Sequence, residues 1–179
     1  ESMNLSECGL TGATPRRGDS KKYGWENFDA DLAGFTALCS VLGKVRTVIL
    51  ANCGLGPGSI AELSKAFTNA DAVLNSLTLD SNGIFGTLGV IGRRGKPDKF
   101  AGDCDAFLAS LKESNILTLS LQNTGIGPLT LRNLATSLPA AVARLVLDEN
   151  PLIGGGHDSD FEEGTTSIMA LCDTLKTSS

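Results

Sequence analysis

The sequence is poor in aromatic residues and contains a single histidine and no long apolar run. Aromatic residues make up 5% of its 179 residues, and leucine dominates the apolar set, which indicates a core of aliphatic side chains. No apolar stretch approaches the roughly 20 residues that a membrane-spanning helix needs, so we expect no membrane insertion. Residues 1–5 have neither the basic start nor the apolar stretch of a signal peptide, so none is predicted.

The sequence also lacks an excess of basic charge and a paired cysteine pattern. Its net charge of −5 argues against nucleic acid as a partner. The five cysteines are odd in number and have no short paired spacing, which favours free thiols over a disulfide framework or a zinc site. Free thiols are typical of a reducing compartment, so we expect an intracellular, cytoplasmic protein. With 41% hydrophobic residues, the chain should fold as a single domain.

An eleven-residue pattern recurs along the chain. It consists of an apolar residue, two variable residues, an apolar residue, one variable residue, Leu, two variable residues, Asn or a substitute, one variable residue, and Leu or Ile. The second half of a further copy lies at residues 3–10. The four full copies are Val45, Val48, Leu50, Cys53 and Leu55; Leu74, Leu77, Leu79, Asn82 and Ile84; Ile116, Leu119, Leu121, Thr124 and Ile126; and Val142, Leu145, Leu147, Asn150 and Leu152.

The spacing of this pattern predicts a short strand followed by an inward turn. Alternation such as Leu77-x-Leu79 points two apolar side chains to one face of a strand. At the Asn82 position the chain turns inward, where the amide can bond backbone groups of the neighbouring coil. Because no single coil can bury its apolar face alone, the coils should stack and their strands should form a parallel sheet.

A segment with helical spacing of apolar residues lies behind each strand, for example at Leu131, Leu134 and Leu138. This strand-and-helix unit resembles the leucine-rich repeats of the ribonuclease-inhibitor class over nearly the whole chain. The resemblance implies a right-handed α/β solenoid, or horseshoe, with the parallel sheet on the concave face and the helices on the convex face. Members of that family mostly bind proteins. Cys53 and Thr124 depart from the family pattern, since both stand where Asn is expected.

Long and short repeats alternate, and a unit of about 70 residues is duplicated. Leu50 and Leu121 are 71 residues apart in closely matching surroundings. We therefore predict that residues 1–179 form one leucine-rich-repeat domain of about five repeats. The long repeats carry inserts near 12–31, 86–103 and 154–165, which should emerge along one rim. Neither end shows a polar capping repeat, so we expect a fragment of a longer array or ends covered by partners.

Two surfaces are candidates for binding a protein partner. The first is the predicted concave face, a polar and mildly acidic surface that suits a basic or polar partner. The alternative interpretation is a solvated sheet face, because no large aromatic anchor occurs there. The candidate residues on this face are Thr78, Asp80, Ser120, Gln122, Val146, Asp148 and Glu149.

The second candidate surface is formed by two of the insert loops. Arg16 and Arg17 in the first are matched by Arg93 and Arg94 in the second. Arginine is enriched in interface hot spots, and the alternative is that these arginines are solvated. The aromatic residues of the first insert, Trp25 and Phe28, are expected to pack that loop onto the repeats instead.

Enzymatic activity is not predicted. The single histidine, His157, lies beside Asp158 and Ser159 on one predicted loop, whereas a triad needs orientation from separate elements. The acidic residues that follow it lack the spacing of a calcium-binding loop, so we expect no metal and no cofactor. Cys8, Cys39, Cys53 and Cys172 are predicted to be core residues.

The predicted function is therefore protein–protein interaction, as a scaffold or a recognition module. Two alternatives remain open at this point. One is a structural subunit of a larger assembly, and the other is a regulator that inhibits an enzyme by wrapping it.

Overall fold

A computed structural model describes residues 1–15, 25–67, 71–88, 95–154 and 158–177; for 158–161 and 177 it describes the backbone alone. Within these ranges the chain is an α/β fold with one five-stranded parallel sheet and five α-helices, as the sequence predicts. The strands of this sheet are β1 (Ser2–Asn4), β4 (Thr47–Ile49), β5 (Ser76–Thr78), β6 (Thr118–Ser120) and β7 (Arg144–Val146). The helices are α1 (Ala33–Leu42), α2 (Pro57–Ser64), α3 (Asp105–Lys112), α4 (Pro128–Ser137) and α5 (Asp158–Thr177).

The strands of the parallel sheet lie side by side in the order β1-β4-β5-β6-β7. Their middle residues share one register, so Met3, Val48, Leu77, Leu119 and Leu145 form a single row across the sheet. The helices contact one another in the same sequence, from α1 against α2 to α4 against α5. Each strand-and-helix unit therefore packs on the unit that follows it.

The core lies between the sheet and the helices. Leu77 and Leu119 are fully buried in the inner strands, whereas Met3 and Leu145 in the two edge strands are only partly buried. Four phenylalanines belong to this core, and the Phe85 and Phe107 rings pack with centroids 6.4 Å apart. The aliphatic core expected from the composition is confirmed, with a small aromatic contribution from the helix side.

The inserts contain more structure than the sequence suggests. In the first, β2 (Thr14–Pro15) pairs antiparallel with β3 (Trp25–Glu26). In the second, Thr87 bridges to Lys96, and a short 3₁₀ helix spans Ala101–Cys104.

The third predicted insert, 154–165, is wrong over most of its length because α5 already begins at Asp158. Acidic residues at a helix N-terminus are favourable next to its unpaired amide groups, which explains why this stretch is helical. Gly164 also lets α5 pack closely against Ile153, since a Cβ at position 164 would clash with that residue.

Candidate functional site

The outward side of the parallel sheet carries most of the sheet candidates. The middle residue of each inner strand is buried, and its neighbours on either side in the sequence point to the other face. The register places the first row of that face at Asn4, Ile49, Thr78, Ser120 and Val146. We call this surface the outer sheet face. Thr78 and Val146 are half-buried there, while Ser120 is buried.

A second row follows directly after the strands and contains Asp80, Gln122 and Asp148. The ladder continues through this row, because the amide of Asn52 donates to the Asp80 carbonyl and that of Ser81 donates to the Gln122 carbonyl. Asn123 donates in the same way to the carbonyl of Asp148. The structure therefore brings Asp80, Gln122 and Asp148 together as neighbours.

Asp80 is held in a fixed orientation. Its Oδ1 accepts a hydrogen bond from the Ser120 hydroxyl at 2.7 Å and another from the Gln122 backbone amide at 3.0 Å. Because both donors belong to the next coil, the carboxylate lies across the gap between two strands. Asp148, in contrast, is exposed at the end of the array. One acid of this row is thus fixed by hydrogen bonds, and the other is open to solvent.

Glu149 does not lie on a strand, which corrects its assignment to the sheet surface. Its φ is 58°, in the left-handed region, and the residue is exposed. All its equivalents adopt the same conformation, namely Glu7, Asn52, Ser81 and Asn123, with φ between 50° and 61°. These residues form the turn that ends each strand, so the third row is a row of turns that borders the outer sheet face.

The asparagines beneath these turns fix the coils to one another. Asn82 is fully buried, and its Oδ1 accepts hydrogen bonds from the amides of Cys53 and Leu55, at 2.9 and 3.1 Å. Its Nδ2 donates to carbonyls on both coils, at 2.8 Å to Leu50 and 2.8 Å to Leu79. Asn150 makes the equivalent set to the coil of Thr124. The predicted role of this position is confirmed.

The arginine candidates of the insert loops, Arg16, Arg17, Arg93 and Arg94, lie outside the described residues. The described parts of the first insert pack as predicted. Trp25 is 8% exposed, and its indole N–H donates to the Asn52 side chain at 2.8 Å. The Phe28 ring lies against Gly83, where a Cβ would clash with it.

Each of the first two inserts also contributes an aspartate that the sequence reading missed. Asp29 accepts hydrogen bonds from the amides of Gly56 and Gly58, at 3.1 and 2.7 Å, and from the Ser59 hydroxyl. Asp98 does the same at the start of α4, where it accepts from the amides of Gly127, Leu129 and Thr130. The two carboxylates occupy equivalent places, so each insert is fastened to the N-terminus of the following helix.

The cysteine predictions are only partly right. Cys39 and Cys53 are buried, as is Cys104, but Cys8 and Cys172 are exposed because each lies in an end coil with a neighbour on one side only. Burial raises the pKa of Cys39 to about 12, and Glu62 adds to the effect. Burial likewise raises the pKa of Cys53 to about 11 and that of Cys104 to about 12. These three thiols therefore stay protonated near neutral pH and should react slowly with reagents in solution.

A cleft of about 350 Å³ opens between α1 and α2. Cys39 lies at its base, and Glu62 and Lys65 form an ion pair of 2.6 Å at its rim. Hydrogen bonding from Lys65 holds the pKa of Glu62 below its usual range. The cleft is open and flanked by flexible side chains, and no signal in the sequence indicates it.

The described residues contain no group of three or more His, Cys, Asp and Glu residues placed to hold a metal ion. His157 lies outside the described part of the chain. None of the helices that the structure describes is both long enough and apolar enough to cross a membrane.

Neither a protein-family model nor a curated protein sequence matches the chain. Among solved structures, the fold is similar to the leiomodin-1 actin-binding site 2 (ABS2), with a TM-score of 0.53 and 16% sequence identity. The match covers 98% of this chain and 83% of that one. At this identity the likeness concerns the fold alone.

Proposed function

We propose that the chain is a leucine-rich-repeat solenoid of the ribonuclease-inhibitor class and acts as a protein–protein interaction module. The observation that carries the proposal is the outer sheet face, a continuous surface of strand residues from five coils in one register. Such a surface presents many side chains at fixed spacing and requires no rearrangement on binding, which reduces the entropic cost of association. We propose no catalytic role.

The chemistry of this face favours a polar or basic partner. Asp80 and Asp148 follow the strands, and Glu149 lies in the turn that borders the face, so the surface and its border carry negative charge. Thr78, Ser120 and Gln122 supply hydroxyl and amide groups. Asp80 is held by Ser120 and Gln122, so it would meet a partner already oriented. Asp148 and Glu149 are exposed, so a partner's cation can approach them without displacing other side chains.

The fold neighbour supports the class of function but not a specific partner. The leiomodin-1 structure is that of an actin-binding site. Actin is accordingly the first defined probe for this chain.

A second candidate function, a structural subunit of a larger assembly, is favoured by the end coils. Leu145, Leu147 and Leu171 are only partly buried, and Met169 on α5 is 62% exposed. Apolar surface of this kind is typical of protein contacts. An inhibitor that wraps its target would be a special case of the first proposal.

The test compares charge-reversed variants in binding experiments with purified actin and with source extract. Asp148→Lys/Glu149→Lys alters the outer sheet face, and Asp103→Lys/Glu113→Lys makes the same charge change on exposed residues of the helix side. A third variant replaces Arg16, Arg17, Arg93 and Arg94 with alanine. Melting curves establish that each variant is folded.

We expect a partner to lose at least tenfold in affinity for the Asp148→Lys/Glu149→Lys variant and to bind the helix-side control unchanged. Loss only with the arginine variant would move the site to the insert loops. A partner that binds all three variants equally would contradict both sites and favour the end coils and the assembly subunit.

A further inference from the structure

Cys8 and Cys53 occupy the same turn position in adjacent coils. β1 and β4 pair in parallel with Met3 opposite Val48, and the same offset carries Cys8 opposite Cys53. Two backbone hydrogen bonds maintain this register past the strands, from Glu7 to the Ala51 carbonyl at 2.8 Å and from Leu10 to the Cys53 carbonyl at 3.3 Å. They flank Cys8 on both sides and hold it against the neighbouring turn.

This register places the two Cα atoms at a spacing that a disulfide can bridge. Adjacent strands lie about 4.8 Å apart, and the Cα atoms of a disulfide are usually about 4.4–6.8 Å apart. Both sulfur atoms also lie close to backbone carbonyl groups of the first coil. The Cys53 thiol donates to the Leu5 carbonyl at 3.0 Å, and the Cys8 thiol lies 3.7 Å from the Ser6 carbonyl.

The two thiols differ in access to solvent. Cys53 is fully buried beneath the turn, whereas Cys8 is exposed because no described coil covers it. The effect of the Cys8 thiol and the Cys8 backbone on the pKa of Cys53 agrees with their proximity. A reagent in solution would therefore meet Cys8 first, with Cys53 directly behind it.

We propose that Cys8 and Cys53 are a site of oxidative modification and form an intramolecular disulfide when the protein meets a peroxide. The exposed Cys8 thiolate attacks one peroxide oxygen and breaks the O–O bond, which yields a sulfenic acid at Cys8 and hydroxide. The Cys53 sulfur then attacks the Cys8 sulfur and displaces the hydroxyl group. That group leaves as water with the Cys53 proton. In total, two thiols are oxidised to one disulfide and hydrogen peroxide is reduced to two molecules of water.

The disulfide would fasten the first strand and its turn to the neighbouring coil. Among the described residues, β1 pairs with β4 alone, and the apolar residues Met3, Leu5 and Leu10 of this segment are incompletely buried. Segments with few buried contacts open most readily. A covalent link from Cys8 to Cys53 limits that opening and closes a loop that contains the whole first insert. Peroxide would then reduce the opening of the first coil, and a thiol reductant would reverse the change.

The test treats the native protein with hydrogen peroxide and maps its cysteines by mass spectrometry. Before oxidation, iodoacetamide should label Cys8 and Cys172 rapidly, and the buried Cys39, Cys53 and Cys104 slowly. After oxidation we expect the loss of two hydrogen atoms, a peptide cross-linked through Cys8 and Cys53, and full recovery with dithiothreitol. Hydrogen exchange of the first-coil amides should slow at least fivefold in the oxidised protein.

Three variants supply the controls. Cys8→Ser removes the exposed thiol, and Cys53→Thr introduces the residue found at the equivalent Thr124, so the turn should still form. Neither should form the cross-link or show the change in exchange. Cys172→Ser, which removes the other exposed thiol, should behave as the wild type. Oxidation of Cys8 to a sulfinic acid while Cys53 stays reduced would overturn the proposal, as would a Cys8 disulfide between two copies of the chain.

Discussion

At the scale of single residues, Asn82 is the position whose side chain must satisfy the most hydrogen-bonding groups in the core. A buried side-chain amide is costly unless all its hydrogen-bonding groups are satisfied. Here both ends of the amide are used, and their partners are backbone groups of two coils that would otherwise be unpaired. The residue therefore stabilises the molecule by satisfying backbone atoms rather than by filling space.

We predict that Asn82→Ala lowers the free energy of unfolding by about 2–4 kcal/mol, since it leaves several buried backbone groups without partners. Asn82→Thr should recover part of this loss, because Thr124 serves the equivalent position and its hydroxyl donates to the Leu121 carbonyl at 2.8 Å. Urea denaturation measures both. Asn133→Ala on α4 is the control and should change stability by less than about 0.5 kcal/mol. Equal losses at Asn82 and Asn133 would contradict this role.

At the scale of elements, the inserts act as helix caps. Neither α2 nor α4 has a capping side chain of its own, since each is preceded by glycine and begins with proline. Asp29 and Asp98 supply the acceptors from the preceding long repeat, and both adopt a left-handed φ, of 60° and 57°. The N-terminal amides of each helix thus depend on a carboxylate about thirty residues earlier in the chain.

We predict that Asp98→Ala costs about 1–2 kcal/mol of stability, because three amides at the start of α4 lose their acceptor. Asp98→Asn should cost less, since its single carbonyl oxygen keeps part of the set and asparagine tolerates the left-handed conformation. Asp103→Ala, at an exposed position of the 3₁₀ helix, is the matched control. Thermal denaturation compares the stability of the three variants. An Asp98→Ala melt that coincides with the control would show that the contact contributes little.

At the scale of the whole molecule, stability is concentrated in the middle coils. The same register position is occupied by leucine in three strands, fully buried at Leu77 and Leu119 but only partly buried at Leu145. In a stacked array each unit is stabilised mainly by its neighbours. The last coil has one neighbour, so its apolar residues contribute less.

We predict that Leu119→Ala destabilises the protein by about 3–4 kcal/mol, in the range of large cavities in a packed core. Leu145→Ala, the identical substitution at the next position of the same row, should cost only about 1–2 kcal/mol because part of that side chain is already in water. Equilibrium denaturation in urea compares the two directly. A larger loss for Leu145→Ala would mean that the end coil carries more of the stability than its burial indicates.

The sequence alone predicts the strand, the turn and the helix of each coil. The spacing of Leu77, Leu79 and Asn82 is local, and strand alternation and the inward turn follow from backbone geometry within a few residues. For this reason the strands, the helices and the register of the outer sheet face agree with expectation. The sequence also predicts the positions of the acidic residues that border this face. It does not predict the turn conformation of Glu149, because Glu is an unusual residue at positive φ.

The tertiary structure alone decided which residues meet between coils. Asp29 reaches the amide of Gly58, Asp80 reaches Ser120, and Cys8 comes to face Cys53. Asp29 has no repeat pattern that points to Gly58, because that contact depends on how the first insert folds back onto the next helix. Cys8 and Cys53 share a repeat position, but only the stacking of the coils brings them together. Exposure of Cys8 likewise depends on the absence of a described coil on its outer side. The secondary structure of one coil follows from its own sequence, whereas the burial of its side chains and their contacts depend on the neighbouring coils.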